Sequence, residues 1–131
     1  MNVNPNDFGI DQSNLDNELC SLGSKMYEYG EAEGVLRVKV ESAKADLETT
    51  EAVLDTDIRS SAKTTGTKIT EAQVKNEIIL RGEYREAVDK LLFAQNEYNR
   101  IRAALVAMGA KKDCLIALSY RDRDMMKVGK F

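Results

Sequence analysis

Residues 15–54 read LDNELCSLGSKMYEYGEAEGVLRVKVESAKADLETTEAVL. Positions spaced at alternating steps of four and three residues in this stretch are apolar, except for Glu33 and Thr50. The apolar members are Leu15, Leu19, Leu22, Met26, Tyr29, Leu36, Val40, Ala43, Leu47 and Leu54. This spacing is typical of an α-helix that packs against other helices, whereas a strand needs an apolar residue at every second position. About 40 residues rising 1.5 Å each make a rod of roughly 60 Å. Because a single rod cannot bury its own apolar seam, we expect the rest of the chain, or other copies of it, to cover it.

Local signals outside this stretch predict the remaining elements. Residues 1–13 contain a proline and many polar residues and are predicted to form a flexible N-terminal arm, with Asp11 or Ser13 capping the first long helix. A single helical domain is predicted over residues 14–131, with its first helix at about 14–58. A basic loop rich in serine, threonine and glycine follows at about 59–69.

A second helical region is predicted after this loop. Thr70 and Gln73 form a capping box that opens a short helix at about 70–81, and Arg81-Gly82 ends or bends it. A second long helix is predicted at about 83–126, because four-three apolar spacing returns there. The predicted core and oligomer seam of the two long helices comprises Leu22, Leu36, Val40, Leu47, Leu91, Tyr98, Ile101, Leu105 and Leu115.

The predicted fold class is all-α: a long antiparallel helical hairpin with a short intervening helix, assembling into a homo-oligomer through its leftover apolar surface. A second stripe of small and apolar residues on the second long helix suits additional helices at close range. Gly23, Gly30 and Gly34 interrupt the first long helix. They predict a kink or a place where another helix approaches closely, and the uninterrupted seam favours close approach.

Composition limits the class of protein. At 131 residues, with 43% apolar and 31% charged residues, the chain is long enough for one helical domain. Its two cysteines, Cys20 and Cys114, lie 94 positions apart without a CxxC motif, which favours a reducing cytoplasm over a disulfide framework. The sequence contains no run of 18 apolar residues, so it does not predict a membrane span. Its polar first residues do not resemble a signal peptide. We therefore expect a cytoplasmic protein, in the host cytoplasm if a phage encodes it.

The residue inventory argues against an enzyme. The chain has no histidine and no glycine-rich phosphate loop. The carboxylates of Asp55 and Asp57, and those of Asp122 and Asp124, would diverge on a helix because they are two residues apart. Cys114 lacks a histidine base and is predicted to be a buried small side chain. We expect no catalytic residue, no metal site and no cofactor.

Charge is distributed unevenly along the chain. Residues 1–57 carry four basic and 13 acidic side chains, whereas residues 100–131 carry eight basic and three acidic ones, within a net charge of −3. One end of the fold is therefore expected to be electropositive. Antiparallel pairing of the two long helices would instead bring these opposite charges together, which is the structural explanation of the same gradient.

Two basic segments are candidates for nucleic-acid contact. Cations near aromatic rings suit single-stranded DNA, because cations follow the phosphates and rings stack on unpaired bases. The first segment is the loop with Arg59, Lys63 and Lys68. The second runs from Lys111 to Phe131 and also contains Tyr120 and Lys130. Arginine and lysine also favour helix C-termini for electrostatic reasons, which is the alternative explanation. The candidate DNA-binding residues are Arg59, Lys63, Lys68, Lys111, Lys112, Arg121, Arg123 and Lys127.

Three motifs of the chain resemble a known family. They are KITEAQV at residues 68–74, Tyr84 three residues before Ala87, and AMGAKKDCLIAL at residues 107–118. These motifs, and the order of a long helix, a basic loop, a capped short helix and a second long helix, resemble the UvsY-type recombination mediators of bacteriophages. The resemblance spans about residues 27–123.

The resemblance implies a function without catalysis. Such mediators form small ring-like homo-oligomers, bind single-stranded DNA and help to load a RecA-like recombinase in place of the single-strand-binding protein. By motif match, Lys68 and the pair Lys111 and Lys112 are the implied DNA-facing positions. The alternative is a helical coiled-coil scaffold or chaperone-like adaptor that binds protein partners and not DNA. The acidic first helix favours that alternative.

Overall fold

The computed structural model describes residues 1–129, and no β-strand occurs among them. Two short 3₁₀ helices, Pro5–Phe8 and Gln12–Asn14, precede three α-helices. These are α1 (Leu15–Thr64, 50 residues), α2 (Glu71–Leu80, 10 residues) and α3 (Gly82–Val128, 47 residues). The prediction of an all-α fold, with two long helices and a short one between them, is confirmed.

The chain divides into two compact units. The first unit contains Met1–Val35 together with the chain from Asn99 onward, and the second unit contains Leu36–Tyr98. Each long helix therefore contributes one half to each unit. Buried side chains occur in both units, so each has its own apolar interior.

The first unit is built from the N-terminal half of α1, the C-terminal half of α3 and the N-terminal segment. Its buried side chains are Leu22, Tyr29, Ile101, Ala104, Met108 and Leu115. On each helix they follow the four-three spacing of the sequence. Burying large apolar side chains stabilises the unit by about 1.5–3 kcal/mol for each one, relative to leaving it in water.

The second unit is closed by α2. Leu54 and Ile58 of α1 form one buried cluster with Val74 and Ile78 of α2, and Tyr84 of α3 packs against it. The predicted capping box is confirmed at the start of α2. The Thr70 side chain accepts a hydrogen bond from the Gln73 backbone N–H, and the Gln73 side chain accepts one from the Thr70 N–H at 2.9 Å.

Helix α1 ends at Thr64, six residues beyond the predicted boundary. Residues 59–64 are helical, so the connecting loop is shorter than predicted. The Thr67 N–H donates to the Ala62 carbonyl at 2.9 Å and the Gly66 N–H to the Lys63 carbonyl at 3.2 Å. This pair of bonds is a Schellman motif, and Gly66, with φ at +71°, supplies the left-handed residue that it requires. Helix α1 is therefore terminated by Gly66, and not by the polar residues that begin at position 59.

The glycines of α1, Gly23, Gly30 and Gly34, do not interrupt it within the described chain. The helix continues through all three of them. A Cβ atom placed at Gly23, Gly30 or Gly34 would meet no atom within 4 Å outside the local helix backbone. The expected close approach to another helix is therefore not made by this chain itself.

The predicted seam residues lie at interior or half-buried positions. Five of the nine are buried, at 6% exposure or less: Leu22, Leu36, Val40, Ile101 and Leu115. Leu47, Leu91, Tyr98 and Leu105 are half-buried, and none of the nine is exposed. In the described chain, no helix combines the length and the apolar character that a membrane crossing requires.

The cap of α2 provides a test of the second unit. Thr70→Ala removes the side-chain acceptor for the Gln73 N–H and should lower the free energy of unfolding by about 1 kcal/mol. Thr70→Ser keeps that acceptor and is the matched control. Urea unfolding followed by circular dichroism measures both variants. Equal stability of the alanine and serine variants would contradict the role given to the cap.

Candidate nucleic-acid interface

The predicted DNA-binding cations are divided between the two units. Arg59, Lys63 and Lys68 belong to the second unit, at the end of α1 and in the loop after it. The other five are on the C-terminal half of α3, in the first unit: Lys111, Lys112, Arg121, Arg123 and Lys127. The neighbours of each group of cations are therefore those of its own unit.

Arg59 is held by two carboxylates. Its guanidinium donates to Asp55, one turn earlier on α1, and to both carboxylate oxygens of Glu71 at 2.7 Å. The hydrogen bonds to Glu71 and then to Asp55 raise the pKa of Arg59. Because Glu71 is the first residue of α2, this contact fastens α2 to α1. Arg59 therefore serves the structure of the loop end, while Lys63 and Lys68 are exposed.

The last turns of α3 carry cations on one face. At 100° per residue, Lys112, Arg123 and Lys127 lie within about 60° of one another around the helix, and Tyr120 lies within about 80° of Lys112. All four side chains are exposed. The guanidinium carbon of Arg123 lies 5.6 Å from the centre of the Tyr120 ring, a cation–π distance. We call these four residues the cationic face.

Arg121 lies outside the cationic face. It is exposed, but helix geometry turns it to the side of α3 opposite Lys112. Lys130 and Phe131, which the sequence places at the end of the basic segment, lie outside the described residues. The cationic face thus keeps three of the five predicted cations of α3, spaced over about 22 Å of helix.

Lys111 is not a surface cation, which corrects the prediction. Its side chain is 9% exposed, and its Nζ lies 2.8 Å from Oε2 of Glu18. The same Nζ donates to the backbone carbonyl of Asp7 at 2.7 Å. A lysine in the interior needs such partners, because an unpaired buried charge is strongly destabilising. Lys111 and Lys112 are adjacent in sequence, yet they have opposite surroundings.

The N-terminal segment is not a free arm. Tyr29, whose residue exposure is 0%, donates its hydroxyl proton to Oδ2 of Asp7 at 2.7 Å and accepts from the Asn4 N–H at 3.2 Å. The Phe8 and Tyr29 ring centres are 6.2 Å apart. Burial, followed by the hydrogen bond to Asp7, raises the pKa of Tyr29 above 10.0. Asp7 therefore anchors the segment to both long helices of the first unit.

Sequence reasoning missed the residues around Lys111. It placed Tyr29 correctly in the seam, but it gave no role to Asp7, Glu18 or Lys25. Asp7 and Lys111 are separated by 104 positions, so no local spacing signals their contact. One weak signal was present in the sequence. Adjacent helical residues such as Lys111 and Lys112 point about 100° apart, so a narrow solvent-exposed face of the helix could hold only one of them.

Groups that could bind a metal are missing from the described chain. Among its histidine, cysteine, aspartate and glutamate residues, no three come together in a way that could hold an ion. Cys20 and Cys114 are free and exposed, so the prediction of a buried Cys114 is wrong. Buried side-chain nitrogen and oxygen atoms within residues 1–129 all have hydrogen-bond partners.

Comparison with known proteins adds no relative. No family model, no curated protein and no solved structure matches the chain.

The contrast between Lys111 and Lys112 gives the test of this site. Lys111→Gln leaves the Glu18 carboxylate without its cation and should lower the free energy of unfolding by about 1–3 kcal/mol. Lys112→Gln, the matched control on the exposed side, should change it by at most about 0.5 kcal/mol. Urea unfolding measures both. Equal effects of the two substitutions would show that the interior contacts of Lys111 do not stabilise the unit.

Proposed function

We propose that the protein is a recombination mediator without catalytic activity, which binds single-stranded DNA as a ring-like homo-oligomer. In this role it helps to load a RecA-like recombinase onto DNA in place of the single-strand-binding protein. The site of action is the cytoplasm of a phage-infected cell. The observation that carries the proposal is the cationic face of α3, where three exposed cations accompany an exposed tyrosine.

The chemistry of this face suits an unpaired strand. Lysine and arginine neutralise phosphates in a way that does not depend on base sequence. An exposed ring such as Tyr120 can stack on a base, which duplex DNA does not offer because its bases are already stacked. Lys63 and Lys68 add two exposed cations in the second unit. Neither cluster is large, so one chain alone would bind weakly.

Self-association would multiply these contacts. Several weak phosphate contacts per chain, repeated around a ring, give strong binding by avidity. Large apolar side chains remain exposed on the outer faces of both long helices, among them Val38 at 67%, Val106 at 75% and Phe93 at 66%. Monomeric proteins rarely leave extended apolar surfaces uncovered. A second copy of the chain is the partner that we propose for these faces.

The motif resemblance supports the same proposal, and it shares Lys112 with the cationic face. KITEAQV at residues 68–74 spans Lys68, which is exposed, and the confirmed cap at Thr70. The Lys111-Lys112 motif contributes one surface cation, Lys112, and one interior lysine. The recombinase and the single-strand-binding protein enter the proposal through this resemblance alone.

A second candidate function is a helical scaffold or chaperone-like adaptor that binds proteins and not DNA. The observation that favours it is the set of exposed apolar side chains, which could receive other proteins as well as copies of this chain. The 13 acidic side chains among residues 1–57 also favour it, because they repel a polyanion. The two functions differ in whether the assembled protein binds DNA.

Binding of labelled oligo(dT) at 50 and 300 mM salt separates the two functions. The mediator should bind at 50 mM, lose most of its affinity at 300 mM and prefer the single strand to duplex. Replacing Lys112, Arg123 and Lys127 by glutamine removes three phosphate contacts per chain. The slope of the logarithm of the binding constant against the logarithm of salt concentration should therefore become shallower by about 2 per chain. Arg37, Lys39 and Lys44, exposed cations of α1, replaced by glutamine form the control with the same change in charge.

The outcomes of this experiment are distinct. Loss of binding with the α3 variant and not with the α1 control supports the cationic face. Equal loss with both shows that only net charge matters and removes the site. An assembled protein that does not bind oligo(dT) even at 50 mM excludes the mediator and leaves the adaptor.

Native mass spectrometry tests the proposed assembly. Val106→Glu places a charge on an outer face that is already exposed in the single chain, so the helices should form normally while the oligomer dissociates. Gln95→Glu, an exposed polar position of α3, adds the same charge without removing an apolar side chain. Circular dichroism checks helix content. A monomeric parent chain, or an oligomer unaffected by Val106→Glu, would contradict the proposed interface.

A further inference from the structure

The first ten residues lie across the first unit as a strap. Its contacts converge on Asp7, which uses its side chain and its backbone separately. The carboxylate accepts from the Tyr29 hydroxyl and lies 3.9 Å from Nζ of Lys25, while the backbone carbonyl accepts from Lys111. Phe8 adds the ring contact with Tyr29. Residues 1–10 are called the strap from here on.

The strap covers two cations and a ring. Lys111 is reduced to 9% side-chain exposure and the residue Tyr29 to 0%, whereas the Lys25 side chain keeps 43%. Lysine nitrogens have three N–H donors each. At Lys111, the Asp7 carbonyl takes one of them and Glu18 another. Removing the strap would free one N–H donor of Lys111 and the hydroxyl group of Tyr29. It would also leave the Lys25 ammonium group without its ion-pair partner Asp7.

The strap occupies these groups with oxygen acceptors, the chemistry of a phosphate group. The Asp7 carbonyl stands where a phosphate oxygen would accept the same hydrogen bond from Lys111, and the Asp7 carboxylate stands where a phosphate would form an ion pair with Lys25. The Tyr29 hydroxyl would then be free to donate to the same phosphate. The covered group of Lys25, Tyr29 and Lys111 thus places hydrogen-bond donors and positive charge together under the strap.

No side chain of the strap is buried. The 3₁₀ helix Pro5–Phe8 has no buried residue of its own. Segments that bury little apolar area and hold on through a few polar contacts open most easily. By contrast, the helices beneath the strap contain residues that are fully buried, such as Met108 and Leu115. The strap can therefore leave while the helices stay folded.

We propose that the strap is a displaceable cover over a second phosphate-binding site, formed by Lys25, Lys111 and Tyr29, for single-stranded nucleic acid. This inference rests on the proposed function, because the displacing ligand is the strand that the mediator binds. In the covered state, the protein holds the strand through its exposed cations alone. When the strap leaves, each chain gains up to two more cation contacts, so binding tightens only after the first contact is made.

The test uses the full chain with a weakened strap. Asp7→Ala together with Phe8→Ala removes the side-chain anchors of the strap, weakening its hold, and leaves Lys25, Tyr29 and Lys111 unchanged. Binding of oligo(dT) at 150 mM salt should become about 3- to 10-fold tighter, and its salt dependence steeper by about 1.4 for two added cations. Asp16→Ala, an exposed position of α1, removes the same charge and should give no steeper dependence. Circular dichroism confirms that all variants are helical.

Further variants identify the uncovered groups. Lys25→Gln in the weakened-strap chain should cancel about half of the added steepness, and Lys25 can be replaced without disturbing the interior pair of Lys111. In the unmodified chain, hydrogen exchange at the strap amides, such as Asn4 and Asp7, should rise when oligo(dT) is added. A strap amide that becomes more protected would overturn the proposal.

The outcomes keep this inference separate from the proposed function. If the parent chain binds oligo(dT) and the weakened-strap chain binds no more tightly, the strap is not a cover. If Asp16→Ala gives the same gain, net charge explains it and the strap again fails. If neither the parent nor the weakened-strap chain binds at 50 mM salt, the mediator function fails and takes the inference with it.

Discussion

The apolar seam of α1 has to be covered along its whole length, and different parts of the chain do this in the two units. In the first unit, the C-terminal half of α3 contributes Ile101, Met108 and Leu115 to an interior that also holds Leu22 and Tyr29. In the second, α2 and the start of α3 cover Leu54 and Ile58. A helix half as long could rely on one partner element. Because this seam is continuous, three separate segments are needed, and each has to be held in register by contacts of its own.

The contacts that hold these segments in register are polar. They explain where prediction from sequence succeeded and where it failed. The seam itself could be predicted, because apolar spacing at 3.6 residues per turn is a local property. The capping box at Thr70 is also local, since its two partners are three residues apart. The end of α1 was misplaced because residues 59–64 are polar, whereas their helical state depends on Gly66 and on Arg59 reaching Glu71. The strap was predicted as a flexible arm because its partners, Tyr29 and Lys111, lie 22 and 104 positions away from Asp7.

The same distinction applies to the candidate site. Counting lysines and arginines predicts that the chain has cations, but not which of them water can reach. Lys111 and Lys112 illustrate this, because a rotation of about 100° around the helix separates an interior ion pair from a surface charge. Arg59 likewise appears basic in the sequence, although two carboxylates already engage it. The exposed apolar side chains were predicted only as a second stripe on α3. Their exposure in the single chain is what makes a second copy the natural candidate to cover them.

The net charge of −3 does not decide against a polyanionic partner. At physiological ionic strength, charges separated by more than about 8 Å are largely screened. What a phosphate experiences is therefore the group of charges around its contact, not the sum over 131 residues. On the cationic face, Lys112, Arg123 and Lys127 are spread over about 22 Å of helix, so each acts mainly on the phosphate nearest to it. The acidic side chains of α1 would weaken long-range attraction and slow the first encounter. Once contact is made, affinity would depend on how many such faces one strand can meet at the same time, so the proposed function links binding to assembly.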